Sequence, residues 1–118
     1  MRAQLKRLHS PDVDLKNYWP EDSSCFSFLL QAFIGPENEQ GDESFSFTVC
    51  SPKWLEQNTG EQARFGANHL ILSEYDLGKI EQYLSRYCER CVGSSWQELA
   101  AKLARVGRWE FEDYRSSA

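Results

Sequence analysis

This chain has few of the residues that do chemistry. Its 118 residues include only two histidines, His9 and His69. No Gly-x-Ser-x-Gly elbow, His-Glu-x-x-His helix or Gly-rich phosphate loop occurs. Nucleophilic, metallohydrolytic and nucleotide chemistry therefore lack their usual parts. No apolar run is long enough to span a bilayer. The first ten residues carry Arg2, Lys6 and Arg7 with no apolar segment behind them, so no signal peptide is expected. The expected compartment is the cytoplasm, where Cys25, Cys50, Cys88 and Cys91 stay as thiols. Basic residues are also in deficit: 13 Lys and Arg against 18 Asp and Glu give a net charge of −5. That balance disfavours nonspecific binding to nucleic acid or an anionic membrane and favours a basic partner.

What the chain does have is the material for a core. It is 41% hydrophobic and 14% aromatic, with four Trp, five Tyr and seven Phe. Each aromatic can bury roughly 150–250 Å². The length suits one domain over residues 1–118, and no repeat or low-complexity tract divides it.

The hydrophobic pattern predicts strands over 2–9 and 26–34. In the first, Ala3 and Leu5 share a side and Leu8 joins less cleanly. In the second, Phe26, Phe28, Leu30, Ala32 and Ile34 face one way, but Leu29 and Phe33 opposite are also apolar. That reads as a central strand covered on both faces. Phe45, Phe47 and Val49 alternate with polar residues in a third strand, joined to the second by a long acidic loop. Ser51-Pro52 opens a helix of about two turns. A fourth strand is expected over 69–75 and a helix capped by Asp76, with Leu77, Ile80, Tyr83, Leu84, Tyr87, Cys88 and Cys91 as its apolar stripe. Ser95 and Glu98 match a capping box for a further helix, and Gly107 stands where its C-terminal cap belongs. A last strand, 109–114, should put Trp109, Phe111 and Asp113 on one side and Glu110, Glu112 and Tyr114 on the other. Three strands before the first helix argue for an α+β fold, a largely antiparallel sheet with helices packed on one face.

Candidate chemistry is weak when weighed residue by residue. Cys88-Glu89-Arg90-Cys91 is half a zinc site with no second close-spaced pair. It falls at a helix C-terminus, where the dipole opposes a thiolate. We read these residues as structural thiols, ahead of a metal or redox role. Glu110 and Glu112 lie roughly 7 Å apart on one strand face, a spacing that could suit glycoside hydrolysis. An acid there needs burial to raise its pKa, and these two are expected on the exposed side. No catalytic, metal or cofactor residues are assigned. The candidates for partner binding are the loop aromatics Tyr18 and Trp19, the loop acids Glu37, Glu39, Asp42 and Glu43, and the terminal acids Glu110, Glu112 and Asp113. The segment 76–108 goes the other way, with four acids and six bases.

Four stretches together resemble a known family. They are Leu5-Lys6-Arg7-Leu8-His9-Ser10-Pro11-Asp12, Tyr18-Trp19-Pro20-Glu21-Asp22, Phe45-Ser46-Phe47-Thr48-Val49-Cys50-Ser51-Pro52-Lys53-Trp54-Leu55 and Gly107-Arg108-Trp109-Glu110-Phe111-Glu112-Asp113-Tyr114. The chain is similar from end to end to the immunity protein 8 family, predicted antidotes encoded beside bacterial polymorphic toxins. The resemblance implies an intracellular protein that binds a cognate toxin domain and blocks it without turnover or cofactor. It carries no functional-site residues onto this chain. A basic, nuclease-like toxin domain would suit the charge, with no nucleic acid or membrane partner and a monomer or weak dimer in solution. The alternatives are an adaptor or regulatory protein with a non-toxin partner, and a metal or thiol enzyme built on Cys88 and Cys91.

Overall fold

Alternation in two neighbouring segments dictates the centre of the molecule. A computed structural model describes residues 1–112. In it, strand β2 (Ser27–Pro36) pairs antiparallel with β3 (Glu43–Cys50). Phe28 stands opposite Val49, Leu30 opposite Phe47 and Ala32 opposite Phe45, all on one face and all buried. β1 (Ala3–His9) adds antiparallel to the other edge of β2. The outer edge of β3 is shared. β4 (His69–Ile71) runs parallel to its second half, and β5 (Arg108–Trp109) runs antiparallel to its first half. Among the described residues this makes a mixed, largely antiparallel sheet of five strands, accompanied by helices α1 (Pro52–Asn58), α2 (Leu77–Glu89) and α3 (Trp96–Leu103). The fold is α+β.

Helices α2 and α3 cover the inner face. Ile80, Leu84 and Cys88 of α2, and Leu99, Ala100 and Leu103 of α3, join the buried sheet residues in one apolar cluster. Each helix begins as its sequence dictates. Ser51, Asp76 and Ser95 are extended N-caps whose side chains accept from Trp54, Lys79 and Glu98 N–H. At α3 the capping box is shifted by one residue. The Glu98 carboxylate reaches back to the N–H and hydroxyl of Ser94, at 2.9 and 2.8 Å, rather than to Ser95.

Several expectations need correction. The uneven pattern of β1 is a bulge: the register shifts between Leu5 and Arg7, so Leu5 opposes Ile34 while Leu8 opposes Ala32. One extra residue returns Leu8 to the inner face. β2 is central, but it is not covered on both sides. Leu29 and Phe33 are half-buried on the outer face, where the Arg7 guanidinium lies 3.7 Å from the centre of the Phe33 ring. Tyr83 is not part of the α2 stripe and is 61% exposed. The fourth strand stops at Ile71. The terminal strand has two residues, and Glu112 N–H turns back to Trp109 C=O at 3.0 Å. Asp113 and Tyr114 lie outside the described residues.

Gly107 also has a different task from the one expected. The α3 cap is Ala104. Gly107 is buried, and a Cβ there would lie 2.6 Å from the end of the Phe47 ring. The ring is 4% exposed and sits inside the core, so it has little room to retreat. Gly107→Ala should therefore destabilise the fold by about 1–3 kcal/mol, measured by urea unfolding. Unchanged stability would show that the core yields at this point.

Candidate partner interface

The β2–β3 hairpin tip carries the first group of candidate residues. The loop 37–42 folds back tightly: Glu37 N–H donates to Arg2 C=O at 2.8 Å and Glu39 N–H to Pro36 C=O at 3.3 Å. A Cβ at Gly35 would meet Gly41 C=O at 2.1 Å, so the return of the loop requires glycine there. Asn38 takes a left-handed backbone, φ 64°. Glu37, Glu39 and Asp42 are exposed as a result. Two bases attend them: Arg2 Nε lies 3.8 Å from Glu37 Oε2, and Lys6 Nζ donates to the Glu39 carbonyl at 2.8 Å. Exposed pairs of this kind contribute about 0–1 kcal/mol, so the acids remain available.

Glu110 and Glu112 come to the same end of the sheet. Glu110 N–H donates to Ser44 C=O at 3.0 Å, and Ser44 N–H donates to the Glu110 carboxylate at 2.8 Å. The indole of Trp109 lies nearly parallel to Phe45, with centroids 6.4 Å apart, and its Nε1–H donates to Glu43 Oε2 at 2.6 Å. Phe111 meets Trp109 edge-on at 5.8 Å. Glu43 and Glu110 are thus engaged in holding the fold, while Glu112 stands exposed on the turn. Sequence reading expected Glu110 on the exposed side, and it is exposed. The side-chain bond to Ser44, 66 residues away, carries no local signal.

Tyr18 and Trp19 are elsewhere. Tyr18 is half-buried, edge-on to Phe28 at 5.3 Å and to Tyr75 at 5.1 Å. Trp19 meets Tyr75 edge-on at 5.4 Å yet is 67% exposed, so it is the more accessible of the two. Phe28 precedes Ile34 by six strand positions, about 20 Å. Trp19 therefore belongs to the opposite end of the sheet from the acidic loop. Its acidic neighbour Asp22 is committed: the Ser24 hydroxyl and N–H, and then Lys53, hold its carboxyl down to about 2.

The remaining chemistry-bearing residues do not converge. The strand order puts His9 on β1 and His69 on β4, three strands apart or about 14 Å. Among the described residues no group of three or more His, Cys, Asp or Glu is placed to hold a metal. Cys88 and Cys91 are both buried, and burial pushes the Cys88 thiol up to about 12. A thiol so placed is a poor nucleophile near neutral pH. No helix among the described residues is long and apolar enough to cross a membrane.

The acids of the hairpin tip and of the turn 110–112 thus lie at one end of the sheet. The family model for immunity protein 8 matches residues 3–114. This chain belongs to that family. No curated protein and no solved structure matches it.

The Cys88 environment gives a pH dependence. Below its ordinary value of 9.0 the thiol is neutral in folded and unfolded chains alike. Above that, the unfolded chain loses the proton while the folded one keeps it to about 12. Stability present below pH 9 should therefore be lost as pH climbs from 9 toward 12. Urea midpoints measured across that range for the protein and for Cys88→Ala should differ in slope. Parallel curves would show that the thiol does not contribute.

Proposed function

We propose that this immunity protein neutralises the toxin encoded beside it by stoichiometric binding, without turnover. Its acidic end would meet a basic surface on the toxin, of the kind a nuclease-type domain offers to phosphates. The observation that carries this reading is the clustering of Glu37, Glu39, Asp42, Glu43, Glu110 and Glu112 at one end of the sheet, through the Trp109–Glu43 and Ser44–Glu110 bonds. Glu37, Glu39, Asp42 and Glu112 would contact the toxin, and Glu43 and Glu110 would hold them in position. Asp113 joins the proposal on its place in the sequence alone. Complementary charge of this kind speeds association and selects the partner.

Trp19, which like Tyr18 packs edge-on against Tyr75, serves best as a second anchor. A standard interface covers about 800 Å² per partner, wide enough for one toxin domain to span the roughly 20 Å between the two ends along β2. Exposed tryptophan at an interface often carries a disproportionate share of the binding energy.

The test is a triple variant, Glu37→Lys, Glu39→Lys and Asp42→Lys. Among the described residues, none of these side chains supports the fold beyond the exposed Glu37–Arg2 pair. Unfolding should be unchanged, association with the toxin at low salt should slow by about tenfold or more, and protection of toxin-expressing cells should weaken. If the unmodified protein neither protects nor binds, toxin neutralisation is wrong. If it protects and the variant associates just as fast, the binding surface lies elsewhere.

A further inference from the structure

Among the described residues no strand pairs with the outer edge of β4, and this edge differs in character from the acidic end. In this parallel pairing Thr48 N–H donates to Asn68 C=O at 2.8 Å, and Leu72 N–H donates to Cys50 C=O at 3.1 Å. Alternate residues of a parallel strand bond to the same neighbour, so Ile71 directs its backbone N–H and C=O away from β3. Its side chain is 50% exposed. A cavity of about 460 Å³ runs between this edge and α2, with Ile71 and Leu72 on one wall and Lys79, Ile80 and Tyr83 on the other. A second depression of about 300 Å³ shares His69 and Ile71 and adds Leu55 and Arg64.

The charges around Ile71 have one sign. Arg64 borders one depression and Lys79 the other, and among the described residues no carboxylate lines either. Asp76, nearby in sequence, turns its carboxylate to Lys79 N–H at 3.1 Å, and Glu74 is bonded to the Ser23 hydroxyl at 3.0 Å. His69 faces Ala67 C=O through Nδ1 at 2.7 Å and the Arg64 guanidinium through Nε2 at 3.4 Å. A guanidinium can only donate, so in the Arg64 contact Nε2 is the acceptor.

We propose that this edge docks an extended acidic segment of a partner protein, one that alternates apolar and acidic residues and adds as a strand beside β4. Its backbone would take the outward N–H and C=O of Ile71. Its apolar side chains would fill the groove floored by Leu72 and Ile80, and its carboxylates would meet Arg64 and Lys79. A second copy of this chain fits poorly. Pairing two β4 edges about a twofold axis would bring both Arg64 and Lys79 sets together. The site is distinct from the acidic end in place and in sign, and it does not depend on the reading of that end.

The experiment is an NMR titration of the isotope-labelled full chain. The probe is an acetylated octapeptide alternating valine and glutamate; its lysine counterpart and an oligothymidylate serve as controls. At millimolar concentration the glutamate peptide should shift the amide signals of His69, Ile71, Lys79 and Tyr83. In Arg64→Glu with Lys79→Glu, two exposed positions, the dissociation constant should rise by about tenfold. Absence of these shifts overturns the proposal, as does an equal response to the lysine peptide. The same shifts with oligothymidylate would mean that the site reads negative charge alone. Shifts that grow with protein concentration and no peptide would assign the edge to a second copy.

Discussion

Strand β3 has two edges and three neighbours, and the rest of the structure follows from how they divide it. β2 takes one edge along its full length. Thr48, Val49 and Cys50 give the other edge to β4, while Phe45 and Ser46 give it to β5. The two halves of that edge are therefore built from distant parts of the chain. Buried aromatic contacts fix the division. Phe45, fully buried, meets the Trp96 ring edge-on at 6.4 Å and stacks beside Trp109. Gly107 lets the chain pass close to the Phe47 ring on its way to β5. Exchanging a buried phenylalanine such as Phe45 for alanine typically costs about 3–5 kcal/mol. The contact that seats β5 therefore contributes to global stability as well as to local shape.

That division also sorts the surface charge. Where β5 closes the edge, Glu110 and Glu112 come to the hairpin tip and an acidic end results. Where β4 closes it, a short strand is left with Arg64 and Lys79 around an open backbone edge. The outer face between them carries Arg7, His9 and Arg108 by register, opposite Phe33, Gln31 and Ser46. A net charge of −5 thus conceals a molecule with regions of opposite sign. For a protein whose family acts by binding, such segregation matters more than the total, because local potential steers encounter and rejects mismatched partners.

Much of the fold was legible in the sequence, and the physical reasons are specific. The period-two runs from Phe26 to Ile34 and from Phe45 to Val49 gave the hairpin and its buried face, because strand geometry forces alternate residues to one side. Ser51, Asp76 and Ser95 gave all three helix starts, because capping is a local bond. Features set by distant contacts were not legible. Alternation from Trp109 to Glu112 looked like a longer strand, but among the described residues only Phe45 and Ser46 of β3 pair with β5, and the chain turns after Trp109. Tyr83 has the spacing of a core residue, yet it faces the groove beside β4, since that strand ends too early to cover it. At the candidate site, composition identified the acids. It did not show that Glu43 and Glu110 serve the fold, or that Trp19 lies at the other end.

Hydrogen exchange of the labelled protein, free and bound to the proposed cognate toxin, tests the central claim most directly. Binding through the acidic end should slow exchange in the loop 37–42 and the turn 110–112. Unchanged exchange at both of those segments, with protection confined to other surfaces of the bound protein, would contradict it.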